Sequence, residues 1–208
     1  MTDLFPIPTV LVINLDERND RWLNILKTCR QCGITPERVS AVKHKPGWVG
    51  CAKSHKKCAQ IALDRGLPWV LVLEDDCTFS IEEWRRFMAL LPFLWSHRDS
   101  WNFFNGGLTF AKNIELFDHE HRILKANGMT AHFILYTPSA ATIIANWKDS
   151  DTVVDVFIDN QLKSITPYPL IASQLPNYSD INEAELDYTS CFNDTNNKFR
   201  EFLESIGL

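Results

Sequence analysis

The chain has 208 residues, which suits one domain with a single hydrophobic core, and it contains no linker or internal repeat. Its apolar fraction of 45% and charged fraction of 23% are ordinary for a globular protein. A net charge of -5 provides no basic surface for nucleic acid or for an anionic membrane. We therefore expect a single domain over residues 1–208, in which a few basic groups or a metal hold any phosphate-bearing ligand.

Membrane segments and a disulfide scaffold are not indicated by the sequence. Residues 1–8 lack a basic segment followed by an apolar run, and no apolar stretch approaches the ~18 residues that span a bilayer. Cys29 and Cys32 form a lone C-x-x-C motif without the second pair that a zinc site requires. These features predict a reduced, cytoplasmic protein without an integral membrane segment.

The first third of the chain alternates between β-branched apolar runs and amphipathic stretches. Thr9–Ile13 predicts a strand, and a helix is expected from Asn19 or Asp20 until Gly33 ends it. The next predicted elements are a short strand over Arg38–Val42, a helix opening at Gly50 and ending at Gly66, and a buried strand over Trp69–Leu73. Such alternation of strands and helices is typical of an α/β fold.

The remainder of the chain has a weaker pattern. Ser80 is a good N-cap for a helix that is expected to reach about Leu91, where Pro92 breaks it. Residues 108–128 show no clear periodicity. The other predicted elements are strands over Trp101–Asn105 and Thr130–Tyr136, a strand or extended run over Tyr168–Ala172, and helices over Pro138–Trp147, Asp155–Leu162 and around Lys198–Ile206.

Three acidic residues, Glu74, Asp75 and Asp76, directly follow the buried strand Trp69–Leu73. Adjacent carboxylates repel one another and are costly to desolvate, so such a cluster needs a cation or solvent. Ligands of open α/β sheets bind beyond the carboxyl ends of the strands, and oxygen ligands suit Mg²⁺ or Mn²⁺. On an extended backbone, Glu74 and Asp76 would share one side. The cluster predicts a hard-cation site, and a solvated strand end with helix-capping acids is the alternative.

Two arginines, Arg18 and Arg21, lie at the predicted turn between the first strand and its helix. Backbone N–H groups at a helix start and guanidinium groups can together hold phosphates. The turn therefore predicts a phosphate-binding position, and two solvated arginines on a charged turn are the alternative.

Taken together, these blocks resemble glycosyltransferase family 25, which includes bacterial lipooligosaccharide β-galactosyltransferases and procollagen galactosyltransferases. The matching residues are Val12-Ile13-Asn14-Leu15 with Arg18, Asp20 and Arg21, then Gly50-Cys51 with Ser54-His55, then Leu73-Glu74-Asp75-Asp76, with weaker matches at Ala131–Ala141, at Asp155 with Phe157, and at Gln174 with Ser179-Asp180-Ile181. Residues 108–128 match little of the family pattern. The resemblance implies a GT-A fold, which is a Rossmann-like α/β domain with a mixed, mostly parallel central sheet flanked by helices.

The resemblance also implies the substrates and the residues that bind them. A UDP-sugar would donate a hexose, either galactose or glucose, with Mn²⁺ or Mg²⁺, to a glycan, a lipid-linked glycan or a hydroxylated protein. The residues implied to bind the nucleotide sugar are Ile13, Asn14, Leu15, Arg18, Arg21, Ser54, His55, Glu74 and Asp75. The residues implied to hold the metal or its water shell are Glu74, Asp76 and Asp180. An ordinary helix-turn histidine is the alternative for His55, a plain loop acid is the alternative for Asp180, and the oligomeric state is left open.

Inverting transfer, which the family performs, requires a general base for the acceptor hydroxyl, and Asp or Glu is the usual choice. Asp155 is the candidate because it lies at a predicted helix start and matches an acid of the family, and Asp159 is the second candidate. A metal-dependent phosphohydrolase and a non-catalytic sugar- or protein-binding module are the alternative functions. The intact acids and both arginines favour the transferase.

Overall fold

The chain folds around a central sheet of eight strands. The computed structural model describes residues 5–149, 152–179 and 184–208, without the side chains of Asp159 and Gln161. The strands are β1 (Thr9–Asn14), β2 (Glu37–Ser40), β3 (Val70–Glu74), β4 (Cys77–Thr78), β5 (Phe103–Asn105), β6 (Thr109–Asp118), β7 (Ile123–Met129), β8 (Phe133–Tyr136), β9 (Ser164–Pro167), β10 (Ser173–Gln174), β11 (Asn177–Ser179) and β12 (Ala184–Leu186). The helices are α1 (Asn19–Gln31), α2 (Gly47–Asp64), α3 (Ile81–Ser96), α4 (Pro138–Ala145), α5 (Val154–Gln161) and α6 (Thr189–Ser205).

The strand order in the central sheet is β2-β1-β3-β8-β5-β9-β7-β6. Strand β1 pairs in parallel with β2 and β3, and β5 pairs in parallel with β9. The other four pairings are antiparallel, so six of the eight strands point one way and β7 and β8 point the other. The predicted α/β fold with a mixed, mostly parallel central sheet is thus confirmed. Among the described residues, no helix combines the length and the apolar character needed to cross a membrane.

The buried side chains of β1 point alternately to the two faces of the sheet and contribute to a hydrophobic core on each. Val10 and Val12 belong to a core that α1 and α3 cover, while Leu11 and Ile13 belong to a second core that α2, α4 and α5 cover. Successive side chains of a strand point to opposite faces, which is why a continuous apolar run is needed where helices cover both. A third core lies between the β6–β7 hairpin and α6.

The predicted helix signals act as expected at three helix ends. Gly33 takes a φ of +72° just beyond α1, where a side chain would strain the backbone. Ser80 caps α3 by accepting from the N–H of Glu83, whose carboxylate accepts from the N–H of Ser80 in return. Pro138 occupies the first position of α4.

Pro92 does not break α3, contrary to the sequence-based expectation. The helix continues to Ser96 with Pro92 inside it. A proline removes one backbone hydrogen bond, but the buried side chains of Leu91 and Leu94 hold the segment on either side of it against the sheet. Tertiary packing therefore outweighs the local cost.

The unpredicted residues 108–128 form the long β6–β7 hairpin. Its ladder shifts register three times, between Thr109 and Lys112, between Lys112 and Glu115, and between Leu116 and Asp118. Phe110 and Asn113 also take positive φ angles of 55° and 53°. Each irregularity interrupts the two-residue alternation by which a strand is recognised in a sequence.

Several predicted boundaries were wrong. Residues 168–172 form no strand, because Pro169 lacks the N–H that a ladder needs, and β9 precedes them at Ser164–Pro167. Helix α2 begins at Gly47 rather than at Gly50, and α6 begins at Thr189 rather than near Lys198. The other strands also shift, with β2 at Glu37–Ser40, β5 at Phe103–Asn105 and β8 at Phe133–Tyr136.

One edge of the sheet collects polar groups from four strands. The carboxyl ends of β1 and β3 place Asn14 and Glu74 there, and the antiparallel β8 brings His132 alongside, since the N–H of Glu74 donates to the His132 carbonyl at 3.0 Å. The exit of β5 adds Gly106 and Gly107, and the Gly106 N–H donates to the Phe133 carbonyl at 2.9 Å. This edge is where a parallel sheet binds its ligands.

Gly107 tests how closely this edge is packed. A Cβ there would lie 2.4 Å from Nε2 of His132 and 2.7 Å from the Ala172 carbonyl oxygen. We expect Gly107→Ala to lower the free energy of unfolding by about 1–3 kcal/mol in urea, because the buried histidine or the backbone must shift. Gly66→Ala is the control, since a Cβ there meets no atom within 4 Å and strains only a φ of +60°. Equal losses in both variants would contradict close packing at Gly107.

Candidate active site

The three acids occupy the end of β3 and the turn that follows it. Glu74 is the last residue of β3, and Asp75 and Asp76 form a turn into β4, which pairs with β10. The backbone is therefore not extended after Glu74. The expectation that Glu74 and Asp76 share one side of an extended strand was wrong. The turn instead directs the three carboxylates to different partners.

Asp75 is held from two directions by groups that follow β1. The side-chain amide of Asn14 donates to Asp75 Oδ2 at 2.6 Å, and Nη1 of Arg21 donates to Oδ1 at 2.9 Å. Burial raises the pKa of Asp75, although Arg21 and Asn14 act to lower it. Both carboxylate oxygens are thus engaged inside the protein, and contact between Asp75 and a nucleotide stays a prediction.

Asn14 extends this network to β2. Its side-chain oxygen accepts from Nε of Arg38 at 2.8 Å, while its amide donates to Asp75 and to the Arg18 carbonyl. Arg38 also lies 5.3 Å from the ring centre of Trp22. The sequence reasoning missed Arg38. The signal in the sequence was that Arg38 begins the second predicted strand, which follows the strand that leads to Asn14.

The two arginines of the β1–α1 turn have different surroundings. Arg21 contacts Asp75, and its Nη2 donates to the Tyr178 carbonyl at 2.8 Å and to the side chain of Asn177. Arg18 forms an ion pair with the exposed Asp20 at 3.1 Å. The structure therefore brings Arg21 among the acids and directs Arg18 toward Asp20.

Asp76 is the least compensated of the three acids. Its closest guanidinium nitrogen is Nη1 of Arg21 at 3.7 Å, and Gln174 donates to its Oδ1 at 3.3 Å. Burial, followed by the charges of Glu74 and Asp75, raises the pKa of Asp76 to about 7, against the opposing effect of Arg21. This carboxylate therefore gains most from an added cation.

Glu74 turns toward α2. Its Oε1 lies 3.0 Å from Nε2 of His55, and Nδ1 of His55 lies 2.6 Å from the hydroxyl of Tyr136. Burial acts to raise the pKa of Glu74, but the hydrogen bond and charge of His55 outweigh it and keep that pKa below its ordinary value. The sulfur of Cys51 lies 3.6 Å from the same oxygen. His55 is fully buried, so it orients Glu74 from behind.

The other sequence-predicted nucleotide contacts lie at the same strand ends. Ser54 is buried, donates to the Gly50 carbonyl at 2.7 Å and accepts from the N–H of Val42 at 2.8 Å. Ile13 pairs with Glu74 in the β1–β3 ladder, and the Leu15 carbonyl accepts from the N–H of Arg18 at 2.9 Å. These groups shape the edge, and their contact with a nucleotide stays a prediction.

His132 is a second residue that the sequence reasoning did not single out. It is fully buried, and its ring nitrogens make no well-formed hydrogen bond among the described residues. Burial lowers the pKa of His132 to about 4, while Glu74 and the Ala172 carbonyl act in the opposite direction. The ring is therefore neutral at neutral pH and adds no positive charge to the acids.

Asp155 lies in the first turn of α5, beside the exit of β7. Its Oδ2 accepts from the N–H of Thr130 at 3.3 Å, and it shares a small cavity with Asn105 and Ser164. Its charge also acts to raise the pKa of Cys51. The structure thus brings this acid to the same edge of the sheet, as a base candidate requires. The side chain of Asp159 and the whole of Asp180 lie outside the described residues.

A separate cavity of about 370 Å³ lies away from the acids, between the end of α2 and the start of α4. Its lining is mostly apolar and carries no Asp, Glu, Lys, Arg or His. Phosphate or metal chemistry has no support there, so the acidic edge is the candidate active site.

Comparison with known proteins assigns a family to the segment that contains this edge. Residues 46–132 match the sequence model of glycosyltransferase family 25 (LPS biosynthesis protein). The matched segment includes His55 and all three acids but ends before Asp155. No curated protein matches the chain.

Among the solved structures that resemble the chain are two of low sequence identity. The crystal structure of A197 from STIV has a TM-score of 0.51 at 12% identity, covering 86% of this chain and 93% of that chain. A structure described as a "Putative Glucose-1-Phosphate Thymidylyltransferase" from Bacillus anthracis, in complex with sucrose, has a TM-score of 0.41 at 11% identity, covering 91% of this chain and 75% of that chain. The first likeness shows a shared fold alone, and the second is too low to support any argument.

The family match and the fold agree with what the sequence motifs predicted. The predicted resemblance to glycosyltransferase family 25 is confirmed over residues 46–132, and this match supports glycosyltransferase activity in general terms.

Proposed function

We propose that the protein is an inverting, metal-assisted glycosyltransferase with a GT-A fold that transfers a hexose, galactose or glucose, from a UDP-sugar to a hydroxyl group. The acceptor class that we propose is a glycan or a lipid-linked glycan, which suits the description of the matching family as an LPS biosynthesis protein. The observation that carries the proposal is Asp76, a mostly buried carboxylate at the ligand-binding edge whose pKa is raised to about 7.

The residues at this edge fit a hard divalent cation such as Mn²⁺. Asp76 offers a carboxylate whose charge is incompletely balanced, and Glu74 and the side chain of Gln174 lie beside it. Asp76 would hold the ion, and Glu74 would bind it directly or through its water shell, with Asp180 as a further sequence-predicted ligand. When bound, the ion supplies Lewis-acid neutralisation of the charge that develops on the departing diphosphate.

Arg21 would position the nucleotide. It lies between the acids of β3 and the segment that contains Asn177 and Tyr178, so a diphosphate held beside Asp76 would come within reach of its guanidinium. Guanidinium groups bind phosphate oxygens through paired N–H donors. Asn14 keeps the neighbouring Asp75 fixed, so that Arg21 has a rigid support.

Asp155 would act as the general base. It would remove the proton of the acceptor hydroxyl as that oxygen attacks the anomeric carbon from the face opposite the diphosphate, and this displacement inverts the anomeric centre. The Thr130 N–H donates to Oδ2 of Asp155 at 3.3 Å, a bond that orients the carboxylate.

The activity is tested by release of UDP from UDP-galactose and UDP-glucose with Mn²⁺, with and without saccharide acceptors. A transferase releases UDP faster when an acceptor is present and forms a new glycoside. Release that no acceptor accelerates would support a hydrolase, and no release together with metal-independent sugar binding would support a binding module.

Asp76→Asn tests the cation site. We expect the variant to fold but to lose Mn²⁺-dependent binding of UDP, because the amide is neutral and a poorer ligand. With UDP at 100 times its dissociation constant, wild type gains about 2.7 kcal/mol of folding stability, which a thermal-shift assay measures as a higher melting temperature. Asp64→Asn is the control, since Asp64 is exposed at the end of α2 and contacts Gln60. A Mn²⁺-dependent shift as large in Asp76→Asn as in wild type would contradict the assignment.

The raised pKa of Asp76 predicts a pH dependence of metal-free stability. Between the unfolded pKa near 4 and the folded value of about 7, only the folded state keeps the proton, so stability falls as the pH rises. We expect Asp76→Asn to gain stability relative to wild type from pH 5 to pH 8, as measured by urea unfolding in the presence of a chelator. A pH-independent difference between the two proteins would exclude this shift.

Asp155→Asn separates a catalytic from a structural role. Asn retains the acceptor for the Thr130 N–H but cannot take a proton at neutral pH, so turnover should fall by about 10²–10⁴-fold with donor binding nearly unchanged. Steady-state rates and UDP binding measure the two effects. Asp159→Asn is made in parallel, and a selective loss of turnover in that variant would transfer the role to Asp159.

A further inference from the structure

A second set of metal-ligating atoms lies beside the acids, on the side of α2. The thiol of Cys51, the imidazole of His55 and the carboxylate of Glu74 place their ligand atoms within 4.8 Å of one another. Cys51 and His55 are four residues apart on α2, so they share one face of the helix toward the end of β3. Among the described residues, this is the one such group of three or more.

The separations between these atoms suit a shared ion. Nε2 of His55 lies 3.0 Å and Sγ of Cys51 lies 3.6 Å from Oε1 of Glu74. Ligands of a tetrahedral ion with bonds of about 2.0–2.3 Å are about 3.3–3.7 Å apart. The two separations from Glu74 are therefore within a few tenths of an ångström of these values, and the thiol and imidazole ligand atoms lie within 4.8 Å of each other.

The donor types select the ion. Mg²⁺ and Mn²⁺ prefer oxygen, whereas a thiolate with an imidazole and one carboxylate is typical of zinc. We propose that Cys51, His55 and Glu74 form a site for a zinc-type divalent cation, which adjoins the hard-cation position at Asp76 through Glu74. Three protein ligands leave the fourth tetrahedral position for water. The site stands whether or not the protein transfers sugars.

Tyr136 supports the proposal from behind His55. Its hydroxyl lies 2.6 Å from Nδ1, and a hydroxyl can donate or accept. With Nε2 bound to a metal ion, Nδ1–H would donate to the oxygen of the tyrosine. A buried hydrogen-bond partner of this kind orients a ligating histidine.

The site is open to solvent on the side of its anionic ligands. Cys51 is half-buried, the Glu74 side chain is 20% exposed, and His55 is fully buried behind them. Binding converts the thiol to a thiolate and releases its proton to solvent, while Glu74 binds as a carboxylate and His55 through an unprotonated ring nitrogen, so M²⁺ and the singly negative site yield an uncharged complex and H⁺. A bound ion would also replace the hydrogen bond that joins His55 to Glu74, and Glu74 would then be shared with the hard-cation position at Asp76.

Co²⁺ titration of the chelator-treated full-length protein tests the site, because tetrahedral Co²⁺ is coloured and its thiolate complexes have a sulfur-to-metal absorption band in the near ultraviolet. We expect wild type to bind one Co²⁺ per chain with this band, and Zn²⁺ but not excess Mg²⁺ to displace it. Cys51→Ser should lose the band. Tyr136→Phe should keep it with affinity lowered about 10–100-fold.

Cys32→Ser is the matched control, because Cys32 is also half-buried but its sulfur lies 3.9 Å from the Ser80 carbonyl, away from this group. It should retain the full band. Absence of the band in folded wild type, or its persistence in folded Cys51→Ser, would overturn the proposal. Circular dichroism establishes folding, and Glu74→Gln provides a second ligand variant that is nearly isosteric if Cys51→Ser fails to fold.

Discussion

Three consecutive carboxylates at the end of a buried central strand are the constraint on which this structure depends. Glu74, Asp75 and Asp76 leave a strand whose preceding residues are fully buried, so water solvates their charges only partly. Like charges this close raise the free energy of the ionised state, and burial adds to that effect. The fold reduces the cost by turning the backbone after Glu74 and giving each carboxylate a different set of partners.

Those partners connect the elements around the site. Asp75 joins β3 to β1 through Asn14 and to α1 through Arg21, and Asn14 carries the connection to β2 through Arg38. Glu74 joins β3 to α2 through His55, which Tyr136 of β8 supports in turn. In this part of the chain, the contacts that compensate the charges of the acids therefore also hold the strands and helices against one another.

Asp76 is different, because its partners leave its charge incompletely balanced. The pKa shift of this residue is upward, whereas Glu74 beside it shifts downward under the influence of His55. The pKa values of these two nearby acids therefore shift in opposite directions. The edge offers oxygen ligands near Gln174, and it offers a thiol and an imidazole near Cys51. Glu74 lies between them and is the residue through which one side would affect the other.

The sequence by itself determined the α/β class, the buried acidic strand, the cap of α3 at Ser80 and the family blocks, because each depends on residues close together in the chain. It did not reveal the β6–β7 hairpin, whose register shifts remove the alternation of side chains. The continuation of α3 through Pro92 and the contacts of Arg38, His55 and His132 were decided by tertiary structure. Those outcomes depend on packing and charge balance between residues distant in sequence, such as Asn14 and Asp75, which no local pattern records.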